Sequence, residues 1–413
     1  MIKYLKFIVL VLILTFGKSS YSQITTGELT GQVNTITSAV PFLLIAPDSR
    51  GGGFGDAGVA TTPDVFSQHY NPAKFAFING DVGGGISYTP WLRALINDIN
   101  LSYLAGYYKI GKTQVLSSSL RYFSLGNIVF TDIVGNTTGQ FNPNEWAFDF
   151  AYSRLLSRKL SGSIALRYIY SNLTGGQSVQ GTESHPGHAV AGDVSFYYQD
   201  PITFFEKDAL LAFGVNFSNL GSKISYTENA QKDFIPANFK FGGALTVDID
   251  DYNSIMFCAD INKLLVPTPA IYDTDSITGE EVILYGKDDN ISTATAIFQS
   301  WYDAPGAVMS DGTRSVFREE LNELTYSLGM EYWYSKQFAL RLGYFYEAPT
   351  KGNREFFTVG LGLKLNVFGL DFSYLVPTQQ RNPLENTLRF SLTFDVEALA
   401  SQSKDSMSKT PEM

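Results

Sequence analysis

The sequence predicts an all-β protein: a closed transmembrane outer-membrane β-barrel of about fourteen antiparallel strands, with an N-terminal plug or hatch. Three observations predict it. Segments of about ten residues alternate apolar with small or polar side chains, as strands between lipid and lumen require. No stretch of ~18 apolar residues follows the N-terminus, so a membrane-crossing helix is not expected. The connections also alternate in length along the chain, which is the outer-membrane pattern of short turns opposite long loops.

Composition agrees. Charged residues make up 17% of the 413 residues, against roughly 25% in an ordinary soluble chain. Aromatic residues reach 14%, with 24 Tyr and 31 Phe, and there are 37 Gly. Low charge with many aromatics and glycines suits strands that face lipid and pack closely. The net charge of -10 argues against nucleic acid, which binds positive surfaces. Cys258 is the single cysteine, so no internal disulfide can form, as fits an exported chain that does without them. A chain this long usually divides into domains, yet no Pro-rich or Gly/Ser-rich linker, charge block or heptad repeat marks a boundary.

From the N-terminus, Lys3 and Lys6 precede and enter an apolar run from Leu5 to Phe16. Small residues Ser20 and Ser22 then stand spaced for cleavage before Gln23. Residues 1–22 read as a secretory signal peptide, too short and wrongly flanked for an anchor. Gln23 is not cysteine, so a lipoprotein is not expected. Residues 23–79 break the strand pattern with Gly51, Gly52, Gly53, Gly55 and Gly58 and with Pro41, Pro47, Pro63 and Pro72. Such a segment ahead of a barrel can fill the lumen as a plug or extend into the periplasm without structure. The apolar runs Phe42-Leu43-Leu44-Ile45 and Phe75-Ala76-Phe77 favour the plug.

The barrel is expected over residues 80–396. Strands are predicted at 80–89, 98–109, 113–125, 144–155, 160–172, 188–199, 208–219, 236–249, 252–264, 324–334, 336–347, 354–366, 367–376 and 385–396. Trp146, Phe148, Phe150 and Tyr152 alternate with Ala147, Asp149 and Ala151. Ile164, Leu166, Tyr168 and Tyr170 alternate with Ala165 and Arg167, broken only by Ile169. Tyr168, Tyr170, Tyr332, Tyr334, Tyr344 and Tyr346 lie near strand ends, as an interfacial girdle does. Short turns are expected at Gly111-Lys112, Ser157-Arg158-Lys159, Asp250-Asp251, Ser335 and near Asn366, with a longer one around Asp200-Pro201. The long loops are 126–143, 173–187, 220–235 and above all 265–323. The polar tail 397–413 has the composition of a disordered end.

Inward parity places Arg121, Asp149, Arg167, Lys240, Asp248, Arg341, Glu347, Lys364 and Arg389 in the lumen. Unpaired charges there are costly, so they are expected to pair with one another or with Asp48, Arg50, Asp56 and Lys74 of the plug. The run Gly51–Gly55 is no phosphate loop, because no apolar strand precedes it and no Gly-Lys-Ser/Thr follows. It reads as tight backbone packing. Three histidines exist: His69, His185 and His188. His188 falls on lipid-facing parity at a strand end, which keeps a lipid-modifying enzyme open as a third reading. No nucleophile–base–acid spacing is legible, so no catalytic residue is expected, nor a cofactor. Asp273, Asp275, Glu280, Glu281, Asp288 and Asp289 lack calcium-loop spacing, so no metal is assigned. Trp301, Tyr302 and Phe317 are large aromatics in a polar loop. They either anchor a partner interface or fold down onto the barrel mouth.

The run from Pro47 to Lys74 carries a resemblance. It reads Ala46-Pro47-Asp48-Ser49-Arg50-Gly51-Gly52-Gly53-Phe54-Gly55-Asp56-Ala57-Gly58, then Asp64, then Ser67-Gln68-His69-Tyr70-Asn71-Pro72-Ala73-Lys74. It resembles the PorV (LptO-like) family, outer-membrane barrels of the Bacteroidetes type IX secretion system. Asn71-Pro72-Ala73 is shared with the wider FadL-like barrels of fourteen strands. The resemblance implies Pro47, Asp48, Arg50, Gly55, Asn71, Pro72 and Lys74 as the plug's key residues. It also implies a non-enzymatic protein set in outer-membrane lipid. Such a protein binds the giant translocon barrel, receives secreted cargo through C-terminal signal domains, and passes it to a sortase-like attachment complex. FadL-like relatives instead carry hydrophobic compounds across the outer membrane.

Overall fold

The computed structural model describes residues 33–395, apart from 94–95, 97, 132–133, 177–182, 229–231, 276–278, 310 and 380–381. The expected signal peptide, the first ten residues of the expected plug and the polar tail lie outside the described residues.

Fourteen strands form one closed antiparallel barrel. They are β1 Val82–Pro90, β2 Ile99–Ile110, β3 Gln114–Leu125, β4 Asn144–Leu155, β5 Leu160–Asn172, β6 Gly187–Phe204 and β7 Lys207–Gly221, then β8 Asn238–Asp248, β9 Asn253–Leu264, β10 Thr325–Tyr334, β11 Phe338–Tyr346, β12 Glu355–Lys364, β13 Phe368–Pro377 and β14 Leu388–Asp395. Each pairs with its neighbours, and β1 closes on β14 through Gly84↔Phe394, Ile86↔Leu392 and Tyr88↔Phe390. Closure leaves no edge, so backbone donors and acceptors are satisfied where lipid offers none. Among the described residues no helix is long and apolar enough to cross a membrane; the crossing elements are strands.

The period-two alternation sets the two faces. Leu104, Phe148, Phe150, Ile164, Leu166, Phe196, Phe213, Phe257, Leu328, Leu340, Leu361 and Phe390 all stand exposed on the outer wall. An apolar band of that extent is covered by lipid rather than water. The inner face is small and polar: Ser117, Ser119, Ala147, Ala151, Ser153, Ser161, Ser163 and Ser195 are buried. Ile169, the break in the alternation, points inward and packs with Val40, Phe42 and Leu43 of the N-terminal segment. An apolar patch inside the lumen demands an apolar wall residue, so the exception follows from what the wall faces.

Two expectations are corrected. The chain does not turn at Asp200-Pro201: the β6–β7 ladder runs through Pro201↔Leu210 to Phe204↔Lys207. Proline removes one donor but fits extended backbone, and the reversal is made by Phe205 and Glu206, both left-handed at φ 46 and 63. Asp248 and Lys364 are not buried luminal charges; both are exposed at the short-turn end of their strands, where water replaces an ion-pair partner. The long loops also carry structure of their own. Ile128–Thr131 pairs with Thr137–Phe141, and Ile271–Thr274 with Glu281–Tyr285. Helices α3 Thr293–Gln299 and α4 Val316–Asn322 follow, each capped by a serine hydroxyl, Ser292 and Ser315. At the long-loop end of β4–β6, Trp146 lies 5.4 Å from Tyr168 and 5.5 Å from Tyr170, an aromatic cluster of interfacial type.

Candidate functional site

Residues 33–79 thread the barrel from the long-loop end, where Val40, Phe42 and Leu43 pack, to the short-turn end. There Phe75 and Ile78 pack with Tyr103, Tyr107 and Val115. Short helical turns let so brief a segment satisfy its own backbone: a 3-10 turn Pro41–Leu44, helix α1 Ser49–Gly52, helix α2 Ser67–Tyr70 and a 3-10 turn Pro72–Phe77. Buried Pro47 leads into Asp48, whose carboxylate caps α1 by accepting from Gly51 N at 2.9 Å. Asn71 caps the last turn, accepting from Ala73 N at 3.0 Å, while its amide donates to Val59 O and Phe196 O, each at 3.0 Å. The carbonyls of Pro72 and Ala73 accept from the wall hydroxyls of Ser153 (2.8 Å) and Ser161 (2.7 Å). Lys74, fully buried, donates to Gly58 O at 2.8 Å and Thr61 Oγ1 at 3.0 Å. Asn-Pro-Ala is thus a capping and docking device.

Charge tethers the other side. The Arg50 guanidinium spans Asp64 at 2.8 Å and Glu331 of β10 at 3.0 Å. Arg341 of β11 holds the same Glu331 at 2.7 Å and also pairs with Asp371. Asp56 pairs with Arg389 of β14 at 3.1 Å. Asp260 of β9 accepts from Gly58 N at 2.7 Å and Val59 N at 2.9 Å. Arg167 joins Asp149 and Asp193 across β4–β6. Arg121 finds carbonyls instead, donating to Phe42 O and Leu43 O and to His69 Nδ1. Gly55 has φ +66, donates to Thr358 Oγ1 at 3.0 Å, and lies against the backbone of Tyr344, so close that a Cβ would stand 2.6 Å from its carbonyl.

The loop after β9 forms the second part. It holds eleven acidic and three basic residues between 265 and 323. Glu319, Glu320 and Glu323, on and just after α4, converge on two lysines. Lys263 lies 2.9 Å from Glu320 and 2.6 Å from Glu323; Lys351, in the β11–β12 loop, lies 2.7 Å from Glu319 and 3.0 Å from Glu323. Asn34 joins the two parts, donating through its amide to Pro269 O (3.1 Å) and Glu319 Oε1 (3.3 Å) and through its backbone to Thr350 O (3.0 Å). Trp301 is half-exposed: one side meets Phe239 edge-on at 5.6 Å and the Lys263 ammonium at 5.5 Å. Tyr302 carries the Lys287 ammonium 3.7 Å above its ring, and Phe317 is 74% exposed. Trp301 therefore packs on the rim with one side while its other side stays open.

Burial, then the neighbouring Glu320 and Glu323 carboxylates, push the Asp303 carboxyl up to about 7. The folded loop thus holds a proton that an unfolded loop releases near pH 4. Stability from this group is full at low pH and falls as pH rises from about 4 to about 7, then levels. Protease resistance of residues 265–323 is expected to decline over that window, and Asp303→Asn to flatten the decline. An unchanged slope in the variant would assign it elsewhere.

The histidines take separate places. His69 is half-buried in the lumen, with Nδ1 against the Arg121 guanidinium. His188 faces outward, hydrogen-bonded to Tyr168 OH at 2.7 Å and edge-on to Tyr170. His185 lies in the exposed loop before it, with Nδ1 3.1 Å from Pro186 O. Among the described residues no cluster of three metal-ligating side chains forms.

Sequence reasoning missed Glu331, Asp260, Thr358 and Asp193, although each has inward parity on its strand. It also missed the lysine–carboxylate cluster. The legible signal was Lys263, a charge on the outward parity of Phe257 and Ile261 immediately before the longest loop.

The family model for the type IX secretion system protein PorV matches residues 28–271. The chain belongs to the PorV family. The PorV match takes in the luminal segment, β1 to β9 and the entry to the long loop. The PorV family and the barrel together make this chain an outer-membrane component of type IX secretion. No curated protein gives a match. Among solved structures, the chain is similar to the Pseudomonas putida toluene transporter TodX at 11% identity, covering 88% of this chain and 99% of that one, with a TM-score of 0.48. It is similar to a Pseudomonas aeruginosa FadL homologue at 10% identity, covering 88% and 99%, with a TM-score of 0.40. The strand count of the PorV-family chain rests on its own ladder registers.

Proposed function

We propose that this barrel is a non-enzymatic carrier within type IX secretion. It docks on the giant translocon barrel, receives secreted cargo by its C-terminal domain, and hands it to a sortase-like attachment complex. The PorV family match carries the proposal. Residues 33–79 act as a plug in this reading, because Arg50, Asp56, Asn71 and the carbonyls of Pro72 and Ala73 all bond to wall strands. A lumen so tied is poorly suited to passing a polypeptide, which leaves the loops to meet partners. By the outer-membrane rule the long-loop end faces the outside. The half-open Trp301, with Tyr302 and Phe317, forms the contact there.

The test is affinity purification from membranes. Co-purification of a giant barrel and secreted cargo is expected. Trp301→Ala is expected to weaken that association by ~1–3 kcal/mol, as loss of a buried aromatic anchor does, with heat-modifiable mobility confirming the folded barrel. Undiminished recovery of both partners would remove Trp301 from the contact. Loss of the folded barrel would make it a rim-packing residue only.

A second reading rests on a cavity of about 470 Å³ at the long-loop end, between Thr35–Ser38 of the segment and Lys240, Asp260, Phe345 and Leu375 of the wall. It is large enough for a small amphiphile, as a FadL-like transporter of hydrophobic compounds requires. Bound lipid without protein partners in the same purification would favour it.

A further inference from the structure

The hairpin of Ile271–Thr274 and Glu281–Tyr285 carries an exposed apolar run in its second strand. In a strand, alternate side chains face opposite sides. Val282 and Leu284 therefore share one face, and Ile283 and Tyr285 the other; their exposures are 45%, 51%, 42% and 43%. A strand apolar on both faces is ordinarily a central strand, covered above and below and paired on both edges. Here the sheet has two strands only, so among the described residues neither strand has a ladder partner on its outer edge. An isolated two-stranded hairpin is marginal in water, and an exposed flat edge is a template for another strand. One register shift falls between Ile271 and Tyr272; no proline or lysine stands in either strand, whose charges are Asp273 and Glu281. Its support comes from one side, where the Arg314 guanidinium lies 4.5 Å from the Tyr285 ring.

Charge says what fits. Between 271 and 289 there are six acidic residues and one lysine. Asp273 stands opposite Val282, and Glu281 opposite Thr274, so carboxylates flank the apolar run at the strand itself. Lys287, the lone cation, is turned onto Tyr302. The three glutamates of the α4 region are matched by Lys263 and Lys351, whereas no lysine or arginine forms an ion pair with Asp273 or Glu281 among the described residues. A second copy of this chain would bring the same negative rim and be repelled.

We infer that this hairpin is a strand-addition site that takes an extended, β-forming segment of a partner polypeptide with lysine or arginine on either side of an apolar core. Backbone hydrogen bonds along the free edge supply affinity without demanding one sequence, and the acidic rim sets polarity and steers encounter. That combination suits a carrier serving many cargo proteins. The inference rests on the carrier reading and deepens it by naming the contact mode and the partner's charge.

The test uses purified full-length protein in detergent and a fluorescent synthetic peptide of alternating Val and Thr with two lysines at each end. Fluorescence anisotropy is expected to show binding at least tenfold tighter than for the same peptide ended in aspartates, or N-methylated at alternate amides. The double variant Asp273→Lys/Glu281→Lys is expected to reverse the preference between lysine-ended and aspartate-ended peptides, with heat-modifiable mobility unchanged. Equal affinity for the N-methylated peptide would overturn strand addition. Equal affinity for both charge forms would overturn the acidic selection. Dimerisation of the chain abolished by the double variant would make the hairpin a self-contact and overturn the proposal. Absence of peptide binding by protein that still co-purifies with cargo would overturn the hairpin's role and leave the carrier reading standing, whereas loss of cargo recovery from wild-type protein would strike the carrier reading itself.

Discussion

Gly55→Val is expected to keep residues 33–79 from seating in the barrel. Two costs add at this position. The backbone sits at φ +66, where a β-branched residue is strongly disfavoured. A Cβ would also meet the backbone carbonyl of Tyr344 at 2.6 Å, and a wall strand held by ladders on both sides has little room to yield. The contact is mutual: a Cβ on Gly343 would stand 2.1 Å from Gly55 N. Together these place the loss at about 4 kcal/mol or more, the range reserved for strained or overpacked sites. Limited proteolysis of the segment reads it out, alongside heat-modifiable mobility of the barrel. Wild-type protection of residues 33–79 in the valine variant would show that the close approach is not required. Loss of protection with a folded barrel would show that the strands close without the segment.

Glu331→Gln is the second large effect. One carboxylate serves two guanidiniums, Arg50 from the segment and Arg341 from the wall, with side-chain exposures of 2%, 11% and 1%. Removing one partner of a buried charge pair costs roughly 3–5 kcal/mol, because the remaining charge stays desolvated. Here the lower end applies. Arg50 keeps Asp64 and Arg341 keeps Asp371, so neither cation is left alone. The urea midpoint of the folded barrel is expected to drop accordingly. Equal midpoints for wild type and Glu331→Gln would show that water reaches this cluster and screens it.

Much of this was legible in the chain. Period-two alternation gave the strands because each side chain has only two choices, lipid or lumen, and the two solvents select opposite chemistry. The lengths of the connections gave topology for a related reason: a turn between adjacent antiparallel strands needs few residues, so every long insertion marks a loop built for something else. The Gly/Pro-rich segment was set apart because it obeyed neither period. Asn71, Pro72, Lys74 and Arg50 were singled out in it by their motif, but their partners were not.

The tertiary structure decided those partners. Asp260, Glu331 and Thr358 are inward by parity like many other residues, and which of them meets the segment depends on shear and closure of the whole barrel. Lys263 faces the lipid side by parity yet is buried, because a loop that returns sixty residues later lays Glu320 and Glu323 over it. The hairpin at 271–285 is read from the sequence only as part of the long polar loop, because its acids mask an apolar run of four residues. Local pattern fixes which face a side chain takes, since that needs only the backbone's own geometry. Which group it then meets depends on contacts between distant parts of the chain, and these exist only once the barrel has closed.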